Sequence, residues 1–244
     1  VNDYKIKVQE LYANTKSVSA WGGEDNDVPF YGRVYISILP TSGSNLTEST
    51  KSRIITDLKK YSVASVTPVI VDPEITNIIL RSSIKFDQTA TTKVADAIKS
   101  DVITTITNYN ANTLQSFDNM FRHSKVIGLI DGTDESILSN VTTVQLRKSF
   151  TPTIGSSQKY SIAFSNALYN PHSGHASDGG GILSSTGFKI DGNTTDVFFL
   201  DDDGNGNVRR YYLSSGIRTY ANETQGTIDY STGQITLNSL NIAS

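Results

Sequence analysis

The residues of this 244-residue chain that could do chemistry are few, and most of them lie late. Asp201, Asp203, Asn205 and Gly206 alternate oxygen ligands and place a glycine at the bend, as in the first half of a calcium loop. The twelfth position is Tyr212, where a bidentate Glu is needed, and Phe198-Phe199-Leu200 and Tyr211-Tyr212-Leu213 read as flanking strands. The pattern therefore predicts a solvated hairpin turn, because consecutive carboxylates repel unless water separates them. His172 and His175, with Asp178, offer a spacing that could serve a metal. Ser, Gly and Asn surround them and no third strong ligand is evident, so a mobile surface loop is expected. Gly179-Gly180-Gly181 could cradle a phosphate, but Ile182-Leu183 follows where a Lys-Ser or Lys-Thr helix start is required, so this too reads as a flexible loop.

Catalysis finds little support. Ser, His and Asp are plentiful, yet no G-x-S-x-G elbow occurs, and His123 sits at a helix start where a surface or partly packed role is expected. Lys59-Lys60 and Arg209-Arg210 are basic pairs without an aromatic platform, expected on solvated faces. No catalytic, cofactor-binding or metal-ligating residue is assigned, no cofactor is implied, and the chain is not read as an enzyme.

Composition narrows the class. A net charge of −3 and a pI near 5.6 supply no basic field for nucleic acid or an anionic membrane, and no small-molecule substrate is indicated. Zero cysteines exclude disulfides and thiolate metal sites. No run of about eighteen apolar residues exists, and Val1-Asn2-Asp3-Tyr4-Lys5 carries neither an initiator Met nor a signal segment, so the chain reads as a soluble piece of something longer.

The elements that must position these residues change period along the chain. Tyr4, Ile6 and Val8 alternate with polar residues and predict an opening strand, followed by a flexible acidic loop about Trp21. Val34, Ile36 and Ile38 mark the next strand. Ile54, Ile55, Leu58 and Tyr61 behind Thr47 predict a helix over 47–61, with Lys51 among its polar residues. Val66 to Val71 is a short strand stopped at Asp72-Pro73. Ile78, Leu80, Ile84 and Phe86 give a long strand with one apolar face. Val94, Ala97, Ile98, Val102, Ile106 and Tyr109 form a helical stripe over 91–109. A short helix follows near 124–131 with Ser124 placed to cap it, and Val141, Val144 and Leu146 close with a strand. The expected fold is α+β: residues 1–32 as opening strand and loop, 33–150 as a split βαβ (ferredoxin-like) antiparallel sheet with helices on one face, and 151–244 as a β-rich second domain. Beyond Phe150-Thr151-Pro152 helical periodicity disappears. Short strands are expected at 160–164, 187–190, 197–200, 208–213, 226–230 and 234–237, the last two joined at Ser231-Thr232-Gly233.

One stretch carries a family likeness. Ser19-Ala20-Trp21-Gly22-Gly23-Glu24-Asp25-Asn26-Asp27 running into Tyr31-Gly32-Arg33-Val34-Tyr35-Ile36-Ser37-Ile38-Leu39-Pro40 resembles the wedge subunits of contractile phage tail baseplates, the family related to the baseplate J proteins. The segment from Phe121 through Asp131 to Val141 is similar at the matching place in the order, and the 226–237 hairpin also has counterparts among baseplate proteins. The resemblance implies a structural subunit of the virion, assembled in the host cytoplasm, docking on copies of itself as a dimer or ring and on other wedge proteins, within a ring around the tail hub that rearranges on contraction. The alternative reading is a ligand- or carbohydrate-binding module, or a hydrolase, of a phage or cell surface, using the Tyr-rich second domain and its Asp-rich loop. For contacts with partners the aromatic residues Trp21, Phe30 and Tyr31 stand out, with tucking into its own domain the alternative for Trp21.

Overall fold

The computed structural model describes residues 1–26, 29–61, 66–117 and 119–243, so Asp27 and Val28 of the Trp21 segment lie outside the described residues. The protein is α+β and divides into two compact units, 1–75 with 79–145 and 76–78 with 146–244.

The first unit holds two separate apolar cores. The earlier one begins with α1 (Asn2–Leu11), where the periodicity had suggested a strand. Alternation over five residues cannot be told from helix by itself. Tyr4, Val8, Leu11 and Tyr12 fall at i, i+4, i+7 and i+8, and they form the stripe that meets the core while Ile6 stays exposed. β1 (Thr15–Gly22) then pairs antiparallel with β2 (Arg33–Pro40), so Trp21 belongs to a strand and not to a flexible loop. α2 (Glu48–Lys59) opens on Thr47, whose Oγ1 accepts from the Thr50 amide, and crosses to β3 (Thr67–Val71), which runs parallel to β2. The sheet order is β1-β2-β3. Register puts Val18, Ala20, Val34, Ile36, Ile38 and Ile70 on one face, and Val8, Ile54 and Leu58 of the two helices cover it. Lys51 is buried, unlike a residue of a polar face. Its Nζ donates to Glu48 at 2.7 Å and Asp72 at 2.9 Å, which ties α2 to the end of β3.

The second core is built on a two-stranded ladder of β4 (Asn77–Phe86) and β5 (Ile137–Arg147). Ser82 meets Thr142, and Thr143 meets Arg81, so the strands run in opposite senses. α3 (Ala95–Tyr109), a π turn over 110–114 and α4 (His123–Asp131) bring Val102, Tyr109, Val126 and Ile130 onto Leu80, Ile84 and Ile137. α4 begins one residue before Ser124, and its N-cap, Arg122, makes no side-chain cap bond. The strands of 33–150 therefore do not join into one split βαβ sheet. β2 goes with β1 and β3, and β4 pairs only with β5 among the described residues. The physical reason is the break at Asp72-Pro73, where the ladder donor is lost and the chain leaves the first sheet before β4 begins.

The second unit is all β. β6 (Gln158–Ala163), β7 (Phe188–Ile190), β8 (Asn193–Asp202), β9 (Asn207–Ser214), β10 (Ile217–Asp229) and β11 (Gln234–Leu240) form one antiparallel sheet in the order β6-β11-β10-β9-β8-β7. Leu200, Val208, Ile228, Ile235 and Leu237 fill its core with Leu240 and Ile242.

The α3 stripe supplies a discriminating test. Ile98 is 2% exposed and Val94, on the same sequence stripe, is 69% exposed because the helix starts after it. Ile98→Asp should cost about 4 kcal/mol or unfold the first unit, while Val94→Asp should stay within about 0.5 kcal/mol. Thermal unfolding monitored by circular dichroism reads both.

Candidate functional site

The acidic turn expected to be solvated is the most buried polar site of the second unit. Asp201 is 2% exposed and Asp202 is 0% exposed. Neighbouring carboxylates tolerate this because successive strand residues point to opposite faces, so the pleat separates them where the sequence pattern had suggested water. On one face Asp201 accepts from Arg209 Nε at 2.9 Å, Tyr220 OH at 3.0 Å and Arg218 Nη1 at 3.2 Å. On the other, Asp202 accepts from the Leu183 and Ile182 amides at 2.6 and 2.7 Å, from Tyr230 OH at 2.6 Å and from the Gly204 amide at 3.2 Å. Asp203 caps the turn itself, accepting from Asn207 Nδ2 at 2.7 Å and from the Asn205 and Asn207 amides at 2.8 and 3.0 Å. All three carboxylates are engaged within the chain, and Asn205 and Gly206 shape the turn without converging on a cation position.

Gly179-Gly180-Gly181 is drawn into the same construction. A Cβ on Gly181, which sits at φ +66°, would run into the Asp202 carboxylate. The glycine loop thus does cradle an anion, and the anion is the chain's own Asp202. Burial, and donation to Asp202, push the Tyr230 hydroxyl well above its ordinary pKa. Burial alone would raise Asp203, but the bonds from Asn207 and Asn205 outweigh it and hold the carboxyl below its usual range.

Arg209 and Arg210 are not a solvated pair. Phe199, Tyr211 and Tyr220 line up across β8, β9 and β10, with rings 5.6 and 5.9 Å apart. Arg209 lies 4.3 Å from the Tyr220 ring centre and Arg218 lies 4.9 Å from that of Tyr211. Arg210 points to the opposite face, 5.3 Å from Phe198. The residues missed from sequence are Tyr220, Arg218, Tyr230 and the 182–183 amides; the available signal was the Asp pair set directly against an aromatic strand. Lys60 pairs with Asp57 at 2.7 Å.

His123 Nε2 lies 3.0 Å from the Thr142 carbonyl, and His172 and His175 lie against each other. No imidazole is hydrogen-bonded to a carboxylate among the described residues, and no group of three His, Cys, Asp or Glu converges as a metal set there. In the 17–31 segment Trp21 stacks on Tyr35 with centroids 5.9 Å apart, and its Nε1 donates to Asn26 Oδ1 at 2.8 Å. Phe30 lies under the Arg33 guanidinium at 5.0 Å, its amide donating to the Gly23 carbonyl at 2.8 Å. Tyr31 is 82% exposed. The structure therefore separates the three aromatic residues: Trp21 packs into its own sheet, and Tyr31 faces outward.

Residues 1–71 match the family model described as baseplate structural protein gp6, C-terminal domain I, and residues 74–149 match that of baseplate structural protein gp6, C-terminal domain III. The junction between the matches coincides with Asp72-Pro73, between the two cores of the first unit. Among curated proteins, the baseplate wedge protein gp6 of Enterobacteria phage T4 is 25% identical over 115 residues, 47% of this chain. The chain covers 17% of the length of that relative.

Two outcomes test the carboxylate network. Millimolar calcium should leave the melting temperature unchanged, because the acidic oxygens already have donors; a rise of several degrees that Asp203→Ala abolishes contradicts the closed network. Tyr230→Phe should destabilise the second unit by about 1–3 kcal/mol, since Asp202 loses a donor in a buried place. The pH dependence follows the raised Tyr230 pKa: its contribution is complete below the unfolded tyrosine value of about 10 and is lost as pH rises through the higher folded value. Alkaline denaturation should accordingly be less steep in Tyr230→Phe.

Proposed function

We propose, for a chain whose residues 1–71 and 74–149 match two gp6-type baseplate domains in succession, a structural role in the wedge of a contractile phage tail baseplate. That succession is the observation that carries the reading: matches to two different gp6 domain types follow one another with only Asp72 and Pro73 between them, each with its own core. The chain works by protein contact, docking on copies of itself in a dimer or ring and on other wedge proteins, and shifts position when the tail contracts. Its place is the tail baseplate of the virion after assembly in the host cytoplasm, with no part for nucleic acid, membrane or substrate turnover. The likeness to baseplate J proteins, carried on residues 19–40, belongs to the same reading, as does the treatment of 151–244 as a separate β-rich domain.

Contacts that must both hold and rearrange are best made by polar rims and rigid aromatics of modest individual worth. The segment around Tyr31 has this character. Gly23 cannot carry a Cβ without meeting the Phe30 carbonyl, so the backbone is closely folded there, while the Tyr31 ring is left outside.

The experiment is a set of variants read by both stability and assembly. Tyr31→Ala and charge reversals at Glu24 and Asp25 should leave thermal stability within about 0.5 kcal/mol and reduce incorporation into tails. Trp21→Ala should instead lower stability by about 1–3 kcal/mol through loss of the Tyr35 stack. Normal assembly with 23–31 replaced by Gly-Ser removes this segment from the interface, and normal tails without the chain remove the structural role altogether.

A further inference from the structure

The chain has three histidines, and two of them meet. Their spacing could serve a metal, but the Ser, Gly and Asn around them led to the expectation of a mobile loop. His175 Nδ1 nevertheless lies 3.4 Å from His172 Nε2, with ring centroids 5.0 Å apart and planes at 86°. His172 Nδ1 lies 3.0 Å from the Ser173 carbonyl oxygen. A carbonyl can only accept, so Nδ1 carries the proton, and the lone pair of the neutral ring sits on Nε2, the atom that faces His175. Fixing the remote nitrogen of an imidazole on a carbonyl is how metal-ligating histidines are ordinarily oriented.

The loop that carries the pair is anchored, where the sequence suggested mobility. The Gly174 amide donates to the Gly204 carbonyl at 3.0 Å, the His175 amide to the His172 carbonyl at 3.1 Å, and Asn170 Nδ2 to the Gly204 carbonyl at 3.2 Å. Ser173 Oγ donates to Asn205 Oδ1, and Tyr169 meets the His175 ring edge-on at 5.4 Å. The loop that carries the two imidazoles is thus fastened to the 203–206 turn, which the Asp202 and Asp203 bonds already hold in shape.

We propose that His172 Nε2 and His175 Nδ1 form a two-imidazole site for a divalent transition metal of the zinc class. Two nitrogens bound to one tetrahedral zinc at about 2.0–2.1 Å stand about 3.3–3.4 Å apart, which is the separation these two atoms already have. Imidazole donors select zinc, copper and nickel over calcium and magnesium, so the site is chemically distinct from the acidic turn beside it. No third His, Cys, Asp or Glu joins the pair among the described residues. Water completes the coordination sphere, and affinity is correspondingly modest. On binding, His175 releases the Nδ1 proton to water and takes one from water on Nε2, a change of tautomer that leaves lone pairs on both facing atoms for the metal.

The test is zinc titration of the untagged chain by calorimetry at neutral pH, with His123→Ala as the internal control. One ion per chain should bind with submillimolar affinity in the parent and in His123→Ala, and at least about tenfold more weakly in His172→Ala and His175→Ala. No uptake at millimolar zinc, or equal uptake in the two loop variants, overturns the proposal. Imidazole nitrogen resonances of the parent chain give a reading that needs no variant. Zinc should move His172 Nε2 and His175 Nδ1, and movement confined to His123 overturns it equally.

Discussion

A carboxylate taken out of water costs several kcal/mol unless donors replace the water, and in the second unit this requirement decides what lies next to what. Asp202 collects four donors from three separate stretches of chain: the 182–183 amides, the turn at Gly204 and the hydroxyl of Tyr230 just after β10. Asp201, on the other face, collects Arg209, Arg218 and Tyr220 from β9 and β10. Between them the two side chains determine where the glycine loop crosses, why the aromatic row is interleaved with guanidiniums, and why the 203–206 turn is a firm base for the histidine loop. Removing Asp201 takes the shared acceptor from Arg209, Arg218 and Tyr220, and removing Asp202 takes it from Tyr230 and the 182–183 amides.

The first unit is organised differently. Among its described residues it has no comparable polar centre, and its two cores arise because narrow sheets have one face to bury and helices available to bury it. Ile36 and Ile38 stand at the middle of the β1-β2-β3 sheet, with strands on both sides and Ile54 and Leu58 above. The β4-β5 ladder, with α3 and α4 on it, is a smaller version of the same solution. Two modules of this kind are joined at Asp72-Pro73, and the boundary of the gp6 domain matches falls at that junction.

Long, periodic or capped elements were legible in the sequence. α2 begins behind Thr47 as the Thr47–Thr50 spacing indicates, β4 occupies the expected 77–86, and the short strands of 151–244 appear near their expected places, with β8 and β10 longer than read. Two kinds of information were not legible. Tyr4, Ile6 and Val8 fit strand and helix equally over five residues, and only the arrival of Leu11 and Tyr12 at the core decides for helix. Apart from the β10-β11 hairpin, signalled by Ser231-Thr232-Gly233, strand partnership was not legible, because an apolar face says that a strand is half-buried and not which strand lies beside it. The acidic turn failed for a related reason: its donors come from residues 182, 183, 218, 220 and 230, far along the chain, so Asp201 and Asp202 look solvent-seeking until the fold surrounds them.

The β4-β5 ladder also bears on how the chain meets other chains. From Ile137 to Leu146 β5 carries no charge and no proline, Leu138 and Val141 are exposed, and β4 is its only strand neighbour among the described residues. Charges and prolines are the usual guards against stray strand addition. Here the Thr142 carbonyl, midway along, is taken up by His123. Along this edge the protein therefore carries a self-adhesive strip with the His123 bond as a clasp across it. Whatever covers that strip also shields the chain from copies of itself.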